Sequence, residues 1–231
     1  HTIPYNDKYS IIYMYTEAFG RASYLVSRSR GKKSTVSKAL FIPLSVLEME
    51  VEHLNKRDLH RIKETRICFP LNDVCCDPVK NVLALFLSEV LFRVVKDTEP
   101  DPRLFDYLYE SIHLLEYADK GIANFHMVFL LGLLHHLGIF PNMESHRVGY
   151  YFDMLNGVFT DHIPMHRHYL NKVESAFFSR LLRISFENMS LYGFSRQERV
   201  RIIHRILEYY CLHLPDFPEI KSLSVMQSLF D

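Results

Sequence analysis

One stretch of this chain cannot be buried in a protein core, and the rest of the fold must leave it uncovered. Between residues 21 and 38 the sequence has six basic residues and no acidic one: Arg21, Arg28, Arg30, Lys32, Lys33 and Lys38. Unpaired ammonium and guanidinium groups are too costly to desolvate, so the stretch must face solvent or a negative partner. Basic residues interleaved with aromatic and hydroxyl side chains suit the phosphates of nucleic acid. A solvated loop between two strands is the alternative interpretation.

Charge is unevenly divided along the chain. The net charge of the 231 residues is zero, which argues against a uniformly basic binder. Residues 1–67 nevertheless carry twelve Lys and Arg against seven Asp and Glu, a balance of +5, and the remaining residues carry the opposite balance. A chain of this length can form one or two domains. The opposite charges of its two parts predict two domains with different partners.

The first part of the chain has the pattern of short strands. Ile11–Tyr15 and Arg21–Ser27 are rich in β-favouring residues, Leu47–Glu52 alternates apolar residues with glutamates, and Leu59–Cys68 predicts a last strand. Short strands without intervening helices indicate a small antiparallel barrel, and residues 1–68 fit one of the oligonucleotide-binding type. We expect leading residues, absent from this sequence, to complete its first strand.

Residues 77–231 predict a mostly helical domain, so the fold class is α+β with two domains. Helix starts are marked by Asp77-Pro78, by Asp101-Pro102 and by a capping box at Ser195. Ile122–Leu137 is apolar on nearly all sides and predicts the central buried helix. Between the helices, a stretch at about 142–168 lacks periodicity and predicts an irregular insert.

No catalytic or cofactor motif is present, so the sequence gives no reason to predict an enzyme or a cofactor. Phosphate-binding glycine motifs and a nucleophile elbow are missing. The four cysteines have neither a disulfide nor a zinc spacing, and we interpret them as reduced, mostly half-buried residues of a cytoplasmic protein. Four residues of the insert could be metal ligands, but their spacing fixes no tetrahedral set: Asp161, His162, His166 and His168. No apolar run is long enough to predict a membrane span.

Several motifs, taken in order, resemble the RecO family of bacterial DNA repair proteins. They are Thr16-Glu17-x-x-Gly20-Arg21, the run from Arg28 to Ser34, the predicted strand Leu59–Arg66, the helix containing Asn124-Phe125-His126 and ending in Leu137-Gly138-Ile139-Phe140-Pro141, and the tail Leu212-His213-Leu214-Pro215. Each motif is weak alone. Together they span nearly the whole chain.

The resemblance implies a non-enzymatic recombination mediator with an oligonucleotide-binding barrel and a helical domain. Such a protein binds single- and double-stranded DNA, anneals complementary strands and helps to load the RecA recombinase. The implied protein partners are RecR and the acidic carboxy-terminal tail of the single-strand-binding protein. The family's DNA-contacting loop corresponds to Arg28, Arg30, Lys32 and Lys33, with Arg21 on the adjoining strand and Lys38 closing the basic stretch.

One departure from the family and one competing function bear on this interpretation. Many members place a four-cysteine zinc hairpin after the Leu-Gly-x-x-Pro helix end, whereas residues 142–168 here contain no cysteine. We therefore expect no bound metal and expect the insert to be held by Tyr150, Tyr151, Phe152 and Phe159 packing on the helices. The competing function is a helical interaction module whose basic barrel binds a protein or an anionic surface instead of DNA.

Overall fold

The computed structural model describes residues 1–27, 38–54, 57–96 and 98–229. These residues form two compact units. The first unit contains His1–Tyr117 together with Ile220–Leu229, and the second contains Ala118–Glu219. The predicted α+β class is confirmed, because strands come first and helices dominate thereafter.

The first unit is built on a five-stranded sheet. Its strands are β1 (Thr2–Pro4), β2 (Tyr9–Thr16), β3 (Gly20–Ser27), β4 (Leu47–Glu52) and β5 (His60–Ile67). The strand order is β1-β2-β3-β5-β4, with β3 and β5 parallel and the other neighbours antiparallel. In the described residues the sheet is open, with β1 and β4 as its two edges.

The strand sequences decide which face of the sheet is covered. Along β3, every second residue from Gly20 to Val26 is buried, Tyr24 among them. Along β4 the three glutamates are exposed and the apolar residues between them are half-buried, as the alternation predicts. The hydrophobic effect thus fixes the register of the sheet, because a slip of one residue would exchange the two faces.

Three helices follow the sheet: α1 (Asn72–Cys76), α2 (Pro78–Val94) and α3 (Pro102–Tyr117). Asp77 caps α2 as predicted, and its Oδ1 accepts hydrogen bonds from the backbone N–H groups of Val79 and Lys80. The helices are tied together by a buried polar network. The Glu116 carboxylate accepts from the N–H groups of Asp73 and Val74, while buried Lys80 donates to the Glu116 carbonyl, 2.6 Å away.

The last helix of the chain, α7 (Ser222–Leu229), packs on α2 of the first unit. Its first turn is held by Glu89 of α2. The Glu89 carboxylate accepts from the backbone N–H groups of Lys221 and Ser222, at 3.0 and 2.8 Å, and from the Ser222 hydroxyl. Partial burial acts to raise the pKa of Glu89, but these hydrogen bonds outweigh it and the pKa is lowered. A carboxylate at a helix start also interacts favourably with the helix dipole.

The second unit is organised around α4 (Ile122–His136), which the apolar run predicts. Phe129 is 1% exposed and Leu133 is fully buried, so the prediction of a central helix is confirmed. The helices α5 (Lys172–Leu181) and α6 (Arg196–His213) follow it in the chain, and α6 packs on α4. The Tyr210 hydroxyl on α6 donates to the Leu130 carbonyl over 2.7 Å. The predicted capping box at Ser195 is present.

The stretch at 142–168 is more regular than the sequence indicates. It contains β6 (Tyr151–Asp153) and β7 (Val158–Thr160), which form a three-stranded sheet with β8 (Tyr169–Leu170). Buried Phe152 lies against Phe159, Phe178 and Tyr209, with ring centroids 4.8, 4.9 and 6.1 Å apart. The predicted packing on the helices is therefore confirmed for Phe152, whereas Phe159 is buried beside Phe152.

Three further findings concern the sequence predictions. The four cysteines are free and exposed, so the expectation of half-buried thiols is wrong. The helices α1 to α3 and α7 belong to the same compact unit as the sheet. The division into two domains, 1–68 and 77–231, stays a prediction. None of the helices in the described residues combines the length and the apolar character that a membrane span requires.

Candidate nucleic-acid interface

The predicted DNA-binding residues fall mostly beyond the described part of the chain. Arg28, Arg30, Lys32 and Lys33 lie outside the described residues. Lys38 begins a short 3-10 helix that ends at Leu40, and its side chain is not among those described. Their predicted contacts with phosphate therefore stay a prediction, and the structure describes the residues on either side of them.

The basic stretch starts from a regular part of the sheet. The strands β2 and β3 pair without a break, and Tyr9 lies opposite Ser27, the last described residue before Arg28. The preceding pair, Ser10 and Val26, is buried. The last described residue before Arg28 thus lies in a hydrogen-bonded ladder.

Arg21 is the one predicted DNA contact whose side chain is described. Its Nη1 donates hydrogen bonds to the backbone carbonyls of Phe92 and Val95, over 3.1 and 3.0 Å. The guanidinium also lies over the rings of Tyr13 and Phe92, 5.1 and 4.6 Å from their centroids. Burial lowers the pKa of the Arg21 guanidinium.

These contacts give Arg21 a structural function at the end of α2. The last carbonyls of a helix lack partners within the helix and carry partial negative charge, so a cation is favourable there. Arg21 thereby connects β3 to α2. The sequence could not show this contact, because Arg21 and Phe92 are 71 positions apart.

Two of the acidic side chains on the sheet are paired with cations. Glu48 on β4 bonds to Arg66 on β5 through two hydrogen bonds, and Lys63 lies 3.3 Å from Glu50. Both pairs are exposed, so each contributes little stability. They do, however, offset the negative charge that the β4 glutamates would present to a phosphate backbone. The sequence signal for such pairing is a strand of alternating glutamates followed by a strand that carries Arg61, Lys63 and Arg66.

Three histidines of the insert lie beside separate carboxylates. His166 Nε2 lies 3.2 Å from Asp153, His168 Nδ1 lies 3.3 Å from Glu208, and His162 contacts Asp161. Within the described ranges, no three His, Cys, Asp or Glu side chains are grouped to hold a metal ion. Asp153 has another use as well: its Oδ1 accepts from the N–H groups of Leu155 and Asn156 and shapes the β6–β7 turn.

Gly157 closes that turn for two reasons. Its φ of 66° lies in the left-handed region, which side chains disfavour. A Cβ at this position would also lie 2.7 Å from the Tyr209 hydroxyl oxygen. The insert is therefore fixed closely against α6.

Comparisons with known proteins cover the whole chain. The family model described as "Recombination protein O N terminal" matches residues 1–71, and the one described as "Recombination protein O C terminal" matches residues 76–223. A protein of Bacteroides fragilis is 44% identical over 232 residues, covering all of this chain and 96% of the relative. Relatives from Azobacteroides pseudotrichonymphae and Flavobacterium psychrophilum are 42% and 33% identical, covering 100% and 99% of this chain and 96% and 94% of their own. All three are named "DNA repair protein RecO".

Proposed function

Because this chain belongs to the RecO family of DNA repair proteins, we propose that it binds single- and double-stranded DNA and anneals complementary strands without being an enzyme. One observation carries the proposal: five cations and no acid occur between residues 28 and 38, in a chain whose net charge is zero. Such local excess of positive charge has no use in a core and suits a phosphate backbone.

Annealing follows from the same physics. Two DNA strands repel one another through their phosphates, and counterions condensed on each strand must be rearranged when they meet. Arg28, Arg30, Lys32 and Lys33 would neutralise phosphates on a bound strand and lower this repulsion. Phosphate contacts carry no sequence information, so base pairing alone would select the partner strand.

The family suggests a wider setting for this activity. We propose that the protein helps to load recombinase in repair, with RecR and the acidic carboxy-terminal tail of the single-strand-binding protein as its partners. A protein acting on the bacterial chromosome would do so in the cytoplasm. The same cationic stretch is proposed as the DNA site in that setting, with Lys38 as its last contact.

An annealing assay with complementary oligonucleotides tests the proposal. The protein should accelerate duplex formation, and a variant with Arg28, Arg30, Lys32 and Lys33 replaced by Gln should lose most of this effect. A matched control replaces four exposed cations outside the stretch, Arg103, Arg180, Arg183 and Arg201, and should keep it. If the unaltered protein neither binds nor anneals DNA, the proposed function is wrong.

A further inference from the structure

The turn that joins β1 to β2 carries two exposed tyrosines. Tyr5 is 57% exposed and Tyr9 is 38% exposed, and the turn between them consists of Asn6, Asp7 and Lys8. Single exposed apolar side chains are common and need no explanation. Two aromatic rings on the same short turn are less ordinary, because burying an aromatic ring contributes more than burying most other side chains.

This turn is held in one shape by four hydrogen bonds. The Asn6 Oδ1 accepts from the backbone N–H groups of Lys8 and Tyr9, each 2.9 Å away. The Tyr9 carbonyl accepts from the N–H groups of Tyr5 and Asn6, each over 3.1 Å. An asparagine bonding to the backbone two and three residues ahead is a common device for fixing a turn. Both rings are therefore carried by a defined backbone, which lowers the entropy cost of binding.

The other tyrosines of the sheet already have partners. Tyr13 lies edge-on to Phe92 at 5.0 Å, the Tyr15 hydroxyl donates to the Asp101 carbonyl, and Tyr24 is buried. Among the described residues, neither Tyr5 nor Tyr9 stacks on another ring. The fold thus uses three sheet tyrosines for packing and leaves two on the surface.

The location of the two rings indicates which kind of ligand they could bind. Tyr9 lies opposite Ser27, after which the basic residues begin in the sequence, and exposed Lys8 lies between the two tyrosines. Aromatic side chains beside cations are the combination that binds single-stranded nucleic acid, because bases stack on the rings while cations follow the phosphates. Every base has a flat face, so such stacking tolerates any sequence.

We propose that Tyr5 and Tyr9 form a base-stacking platform for single-stranded DNA at the β1–β2 turn. This inference rests on the proposed DNA binding and names side chains that a charge pattern cannot reveal. The platform would hold unpaired bases, and exposed Lys8 between the two tyrosines would meet their phosphates. It favours single strands over duplexes, because bases in a duplex are already stacked on one another.

The chain has no tryptophan, so a single one can serve as a fluorescent reporter. The variants Tyr5→Trp and Tyr9→Trp place it on the platform. Tyr117→Trp is the matched control, because Tyr117 is 58% exposed in the same compact unit but lies at the end of α3. Oligothymidylate should quench the emission of both platform variants and leave the control unchanged. A duplex of equal length should quench the platform variants less.

Alanine and phenylalanine variants separate stacking from charge. Tyr5→Ala and Tyr9→Ala should each weaken single-strand binding about fivefold or more, while Tyr→Phe at either position keeps the ring and the affinity. The salt dependence should stay as in the unaltered protein, since no phosphate contact is removed. If the unaltered protein binds DNA with steep salt dependence but both platform reporters stay unquenched, only the platform is wrong. If the unaltered protein does not bind DNA, the platform and the proposed function both fail.

Discussion

Arg21 offers a test that separates a structural cation from a DNA-binding one. The sequence predicts a phosphate contact for this residue, whereas its guanidinium donates to two carbonyls at the end of α2 and lies over two rings. We consider the variant Arg21→Gln, which removes the charge and shortens the side chain. Arg21→Lys keeps the charge but loses the planar group that bonds both carbonyls.

The expected cost follows from the contacts that are lost. A hydrogen bond from a charged donor contributes about 1.5–3 kcal/mol to stability, and a cation–π contact at a partly exposed site about 0.5–1 kcal/mol. Water can reach part of the helix end and replace some of the lost hydrogen bonds. We therefore expect Arg21→Gln to lower the free energy of unfolding by about 2–4 kcal/mol. The stability of Arg21→Lys should lie between those of the wild type and Arg21→Gln.

Urea unfolding followed by circular dichroism measures the stability, and oligonucleotide binding over a range of salt measures the charge contacts. Arg103→Gln, a change at an exposed site on α3, should alter stability by less than about 0.5 kcal/mol. If Arg21 is structural, its loss leaves the slope of log DNA affinity against log salt unchanged. A loss of stability below about 1 kcal/mol, together with a flattening of that slope by about 0.7, would show that Arg21 contacts phosphate and that our interpretation is wrong.

Three further predictions concern stability. Phe129→Ala should lower the free energy of unfolding by about 3–5 kcal/mol, as for other core aromatics, while Leu191→Ala at an 82% exposed site should change it little. Equal losses of stability in urea unfolding would contradict a core centred on α4. Burial, and next to it the charge of Arg199, lowers the pKa of His126 to about 3. The free energy of unfolding should therefore fall by up to about 1.4 kcal/mol per pH unit as the pH drops from about 6.5 towards 3. His126→Phe should remove this contribution to the pH dependence, and an unchanged pH dependence would refute the prediction. Glu89→Gln should lower the free energy of unfolding by about 1 kcal/mol at neutral pH. Because the pKa of Glu89 is lowered in the fold, this difference in stability from the wild type should shrink as the pH falls below about 4.5. A difference in stability that persists at pH 2 would contradict the prediction.

The sequence predicted those elements whose signal is local. The alternation of Leu47–Glu52 gave β4 with the correct bounds, and Asp77-Pro78 and the capping box at Ser195 gave the starts of α2 and α6. In each case a few adjacent residues specify the backbone, through side-chain periodicity or through a cap for free N–H groups.

Features set by distant residues were not predicted. The strands β6, β7 and β8 are two or three residues long, too short to show a periodicity, and Phe152 of β6 packs on α5 and α6, which lie far along the chain. The docking of α7 depends on Glu89, which is 132 positions before Lys221. Of the candidate site, the sequence supplied the charge, but the pairing of Arg21 with α2 depends on contacts between distant residues.

Our central claim is that the basic stretch after β3 meets DNA, and the salt dependence of binding tests it most directly. Each phosphate contact on a single strand contributes about 0.7 to the slope of log affinity against log salt. Replacing Arg28, Arg30, Lys32 and Lys33 by Gln should therefore flatten the slope by up to about 3, for any base sequence, while the four-cation control keeps it. A quadruple variant that binds and anneals DNA with the wild-type salt dependence would contradict the claim.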